Sequence, residues 1–161
     1  MGYTGPGGFT GYSGYTGYTG PVATESVTVL NFQGPTSAVS GPGTLYSYTL
    51  PGGTVSSGQA IRVTVGVYDP NANGTYLFYL NGVNATTGFS FGMGRYITCG
   101  LFRLHVLYAS STTGYGIGES AGQSPGGASI SGLAWGSNQN LVFEVTNSQT
   151  ITPWFFCAEL L

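Results

Sequence analysis

The stretch QAIRVTVGVY (59–68) decides how this chain is read. Ile61, Val63, Val65 and Val67 fall on one face and Arg62, Thr64, Gly66 and Tyr68 on the other, the alternation of a half-buried antiparallel strand. The flanking segments repeat that texture. Upstream, PGGTVSSG (51–58) is a turn, and TLYSYTL (44–50) alternates Leu45, Ser47 and Thr49 against Tyr46, Tyr48 and Leu50. Downstream, DPNANG (69–74) is a strong turn, TYLFYLN (75–81) is strand-like, and Asn81-Gly82 is a hairpin signal. VNATTGFSFGMG (83–94) reads as a glycine-interrupted strand or edge. RYITCGLFRLHVLY (95–108) is the longest candidate strand, with Arg103 and His105 late on one face. Residues 109–127 form a glycine- and serine-rich excursion with room for at most one short strand, and SISGLAW (129–135), NLVFEVTN (140–147) and TPWFFCAELL (152–161) follow. Nearer the N-terminus, SVTVLNF (26–32) has apolar groups on both faces, which predicts cover on two sides, and GPTSAVSGPG (34–43) is a loop.

No window carries the i, i+3, i+4 apolar stripe of a helix. The expected fold is therefore all-β, an antiparallel β-sandwich or jelly roll of about eight to nine strands with essentially no helix. The C-terminal strand is so apolar that Phe155, Phe156, Leu160 and Leu161 are expected inside the sandwich or at a subunit interface.

Ahead of these strands stands a different sequence. Glycine recurs at Gly2, Gly5, Gly8, Gly11, Gly14, Gly17 and Gly20. With 29 glycines in 161 residues, that run at a fixed period of three would arise by chance roughly once in 10⁵ tries. Only glycine fits the axis where three polyproline-II-like chains wind together, so the run reads as a collagen-like segment and the protein as a homotrimer. The alternative is a flexible Gly/Tyr tail, since Pro6 and Pro21 are its only prolines. The division expected is a stalk at 1–22, a junction with one strand at 23–43 and a head domain at 44–161. Tyr3, Tyr12, Tyr15 and Tyr18 point outward from such a stalk and suit lateral packing. A stalk this poor in proline is weak alone, so the head must nucleate the trimer.

Charged residues make up only 5% of the chain, with no lysine. The 41% hydrophobic content excludes a solvated disordered chain, and three arginines are too few to neutralise phosphates, so nucleic acid is not an expected partner. So little charge leaves surfaces with weak mutual repulsion, which suits a protein living inside an assembly. No basic or apolar leader and no membrane-length apolar run is visible, so the expectation is assembly in a cytoplasm or a mature chain whose leader has been trimmed, and a membrane is not expected. Cys99 and Cys157 sit in apolar strand patterns, as buried thiols or as members of a bridge within or between chains.

Chemistry is sparse. One histidine and five scattered carboxylates give neither a nucleophile–base pair nor a two-carboxylate site, so no catalytic residue, cofactor or metal is assigned. His105 reads as a half-buried packing histidine, and Glu144 as an ion-pair partner for one of the arginines. No glycine cluster is followed by the Lys-Ser/Thr of a phosphate loop. Asn73 and Asn84 stand in glycosylation sequons, and Thr4, Thr10, Thr16 and Thr19 are exposed in any triple helix.

The order of a G-X-Y run at 2–22 and a β pattern at 44–161 resembles complement- and tumour-necrosis-factor-like proteins and the hair proteins of bacillus spores. Within the head, Leu50-Pro51-Gly52, Gly58, Ile61-Arg62-Val63, Asn71-Ala72-Asn73 and Arg103 resemble β-sandwich domains of bacteriophage virion proteins; Tyr96 replaces their central tryptophan, and the lysine after the Asn run is absent. The resemblance implies a non-enzymatic virion part, a capsid decoration or a head or tail fibre. Its partners would be its own copies and a capsid or tail protein. A second implication is a fibre tip that binds a receptor or host-surface glycan through loops 69–74, 83–94 and 109–127. A third is an extracellular filament or spore-hair subunit.

Overall fold

Strands with one apolar face must bury that face against a second layer. The computed structural model describes residues 27–71, 74–80, 83–84, 91–92, 99–120 and 126–161, and there the chain forms two antiparallel sheets and no helix. The larger sheet runs β1 (Thr28–Gln33), β12 (Thr150–Leu160), β4 (Ala60–Tyr68), β8 (Cys99–Ser110), β9 (Thr113–Ser120), β10 (Gly126–Ser131), with the short β2 (Val39–Ser40) also on β12. The smaller sheet runs β3 (Gly43–Leu50), β11 (Gln139–Val145), β5 (Thr75–Leu80), β6 (Val83–Asn84), with β7 (Phe91–Gly92) also on β5. The repeat glycines and tyrosines of residues 1–22 lie outside the described residues, as do Asn73 and residues 95–98.

The stretch at 59–68 forms β4 in the middle of the larger sheet, and Ile61, Val63, Val65 and Val67 are each 0% exposed. They face Tyr76, Phe78 and Leu80 of β5 and Leu141, Phe143 and Val145 of β11, all in one core. Phe143 joins the layers, its ring 4.6 Å from Phe78, 5.5 Å from Tyr76 and 5.6 Å from Phe102 of the opposite sheet. β5 and β6 pair with Leu80 opposite Val83; Asn81 and Gly82, where a hairpin is expected, lie outside the described residues.

The buried carboxylate of this core is fully engaged. Asp69, fully buried at the end of β4, accepts from the amides of Asn71 (3.0 Å) and Gly74 (2.6 Å) and from the Tyr76 hydroxyl (3.4 Å). The carboxylate thus closes the 69–74 turn from inside, where a water molecule would otherwise be needed. A side chain at Gly74 would collide with the Tyr76 hydroxyl, which explains glycine there. Burial, with the Asp69 charge second, raises the Tyr76 pKa; burial alone pushes Tyr46 up to about 12.

Three segments depart from the sequence reading. The glycine-rich excursion holds a full strand, β9, of 8 residues. Its inward positions Gly114, Gly116 and Gly118 are buried and carry no side chain to signal it, while Tyr115, Ile117 and Glu119 point outward. A Cβ at Gly114 would stand 3.1 Å from Leu133, Trp135 and Val106 atoms, so this layer is filled from the neighbours. The loop at 34–43 holds the two-residue β2. Finally, β1 is an edge strand with a register shift between Val29 and Asn31. The shift puts Val29 and Phe32 on the same outer face, 59% and 64% exposed, so β1 is not covered on both sides within this chain.

Candidate functional site

The outer face of the larger sheet carries most of the chain's unspent chemistry. Register places Val29, Glu159, Arg62, His105, Ile117 and Gly127 in one row across all six strands. The next row holds Phe32, Cys157, Thr64, Arg103 and Glu119. Within these rows Arg62 Nε donates to Glu159 Oε2 at 2.7 Å, and Arg103 Nη1 donates to Glu119 Oε1 at 3.2 Å. Arg62 and Glu159 are 32% and 16% exposed at their side chains, Arg103 and Glu119 nearly half. Both pairs close inside one chain. The belt across the sheet is therefore electrically neutral.

Apolar groups flank the belt on both sides. Towards one end, Phe155 lies over Gly66, where any side chain would displace its ring, and stacks on Phe32 with centroids 6.5 Å apart. Trp154, the residue added by the register shift in β12, stacks on Tyr68 at 6.1 Å with ring planes 7° apart. Towards the other end, Ala60, His105, Leu107, Ile117, Glu119 and Leu161 line a groove of about 470 Å³. Leu161 is held there by reciprocal backbone hydrogen bonds with Ala60, 2.8 and 3.3 Å long.

His105 faces this groove and is half-buried. Burial lowers its pKa below the usual value; Glu119 pulls it back up, while Arg62 and Arg103 push it further down. The ring is thus neutral at neutral pH. Burial raises the Cys157 thiol, with the Glu159 charge adding to the effect and Arg62 opposing it. A thiol so placed is a poor nucleophile. Cys99 stands opposite Tyr68 and Cys157 opposite Thr64, four residues apart along β4 and on different neighbours of it. At about 3.3 Å per residue that exceeds the ~7 Å Cα limit of a disulfide, so these two cysteines are not bridged to each other.

Of the residues expected at a head interface, Phe155 and Leu161 reach the outer face, Leu160 is half-buried against the core, and Phe156 is fully buried between the sheets beside Tyr46 and Tyr48. Glu144 does not pair with Arg62 or Arg103; it accepts from the Thr44 hydroxyl at 3.3 Å on the smaller sheet. Sequence reasoning missed the two ion pairs because their members meet only through strand order. Among the described residues no group of three His, Cys, Asp or Glu gathers where a metal ion could be held.

No family model matches this chain, and no curated protein matches it. Among solved structures, arcelin-5, a lectin-like defence protein from Phaseolus vulgaris, is similar over 84% of this chain and 92% of its own, at 7% identity and a TM-score of 0.40. A likeness that loose has no bearing on function.

Proposed function

We propose that this chain is a non-enzymatic structural subunit that works as a homotrimer, with a collagen-like stalk at 1–22 and a jelly-roll head. The particle part implied by the head's resemblance is a bacteriophage capsid decoration or fibre. The observation that carries the reading is the seven-glycine triplet run placed ahead of a sandwich whose larger sheet, among the described residues, leaves large apolar side chains exposed on its outer face. The strand order β1-β12-β4-β8 over β3-β11-β5-β6 supports the jelly roll, because β3, β4 and β5, and again β11 and β12, pass alternately between the sheets.

Light scattering of the full chain tests the reading. Three times the chain mass of 16.6 kDa is expected, and a monomer at micromolar concentration overturns it. Gly11→Ala is expected to lower the melting of the stalk without unfolding the head, since a methyl group does not fit the triple-helix axis. An unchanged melting curve means that the run is not a triple helix.

A second reading, a glycan-binding fibre tip, is favoured by the parallel and partly exposed Tyr68 and Trp154 rings. Retention on a glycan array that Trp154→Ala abolishes would establish it. An inert head found at fixed sites of a capsid supports the structural part instead.

A further inference from the structure

We infer that the outer face of the larger sheet is where copies of this chain meet, head to tail. The β1 margin of one copy, with Val29 and Phe32, seats on the groove lined by Ala60, Leu107, Ile117 and Leu161 of the next. The inference rests on the trimer reading and names its contact.

Symmetry supplies the first argument. A closed ring of three needs a heterologous contact, meaning two different patches on each subunit that complement one another. This face has two that differ in shape: protruding side chains on the edge strand β1, and, further into the sheet, a recess of about 470 Å³ over β4, β8 and β9. Phe32 is 64% exposed although it is aromatic, and Leu107, Ile117 and Leu161 are each about 40% exposed. A patch meeting an identical copy of itself would join two margins of the same shape and leave the recess empty.

Charge supplies the second. An ionic partner would be met by unpaired charge, yet Arg62 and Arg103 are already paired within the chain. A neutral, apolar partner fits the face better, and another copy is neutral and apolar there by construction.

Size supplies the third. Six strands at about 4.8 Å spacing and some 30 Å long give a face of roughly 700 Å², apolar groups and paired charges together, near the ~800 Å² that one partner contributes to a stable interface.

The chain's own route points to the same margin. The triplet run ends at Val22 and β1 begins at Thr28. The six steps from Val22 to Thr28 reach at most about 22 Å, so the threefold axis of a stalk passes within that distance of the start of the strand that bears Phe32.

The test is a cysteine pair in the full chain carrying Cys99→Ser and Cys157→Ser. Phe32→Cys with Ile117→Cys is expected to give, on mild oxidation, a covalent trimer on a non-reducing gel, and either change alone is expected to give no covalent oligomer. Cross-linking by Phe32→Cys alone overturns the head-to-tail contact, because it means that β1 meets β1. A light-scattering trimer that the double variant does not cross-link also overturns it and leaves the trimer standing. A monomeric unsubstituted chain removes the trimer reading itself. As a second measurement, Ile117→Glu is expected to weaken association at least tenfold with its β-type circular dichroism unchanged; a folded Ile117→Glu trimer of unchanged affinity counts against the face.

Discussion

The two faces of the larger sheet are made by the same strands, both carry large apolar residues, and they end in opposite states. On the inner face, Val63, Val65 and Phe102 meet the smaller sheet and vanish from solvent. On the outer face, Leu101, Leu107, Ile117 and Phe32 stay 39–64% exposed among the described residues, Phe32 stacked on the Phe155 ring beside it, and the gaps between them hold paired charges. The inner face defines the fold, and the outer face defines what the fold can join. Apolarity alone does not tell them apart; what does is the presence of ions, since a buried core tolerates a charge only with full compensation.

Substitutions probe that contrast directly. Phe143→Ala is expected to cost about 3–5 kcal/mol, because the ring touches both layers and its loss leaves a cavity; the urea midpoint should fall with an unchanged slope. A cost under about 1 kcal/mol would mean that the inner face is as loosely held as the outer. Gly114→Val comes next, at about 1–3 kcal/mol from overpacking against Leu133, Trp135 and Val106, whereas Thr113→Val, one residue along on the other side of β9, loses only an exposed hydroxyl contact with Ser110 and should cost less than about 1 kcal/mol in the same titration.

The contrast also bears on what was legible in the amino-acid order. Strands β4 and β11 were readable because Ile61, Val63, Val65 and Val67, and Leu141, Phe143 and Val145, recur inward at period two; β12 was readable only by its apolar content, since Trp154 breaks its alternation. Strand β9 hid because its inward residues are glycines and their space is filled by Trp135 and Leu133, which lie in a different part of the chain. The exposure of β1 hid behind a register shift, which no alternation count detects. At the site, the hydrophobic and aromatic residues were visible but their neighbours were not. Arg62 and Glu159 are separated by 97 positions and meet only because β12 lies beside β4. Glu144 shows the same limit: it stands on the smaller sheet, away from Arg62 and Arg103, while Arg95 lies outside the described residues.

Acid gives a smaller and more selective perturbation. His105 has a folded-state pKa below its unfolded value of about 6.5, so the unfolded chain binds the proton more readily. Its contribution to stability is whole above about pH 6.5 and is lost as pH falls through the folded pKa. Denaturant titrations at stepwise lower pH should show this loss, and His105→Gln should remove that part of it; an unaltered pH profile in the variant assigns the loss to other groups. Smallest of all, Arg103→Gln should change stability by at most about 1 kcal/mol, since both members of its pair are largely in water. A loss several times larger in a chemical-denaturation curve would show that the outer belt is as firmly held as the core.

The neutral belt also has a kinetic meaning. A surface whose ions cancel internally projects almost no field beyond its own side chains, so a molecule approaching it is neither drawn in nor turned into alignment. Encounter then proceeds at the unsteered pace of about 10⁵–10⁶ M⁻¹ s⁻¹ and is nearly indifferent to ionic strength. Whatever covers this face must find it by concentration and keep it by fit.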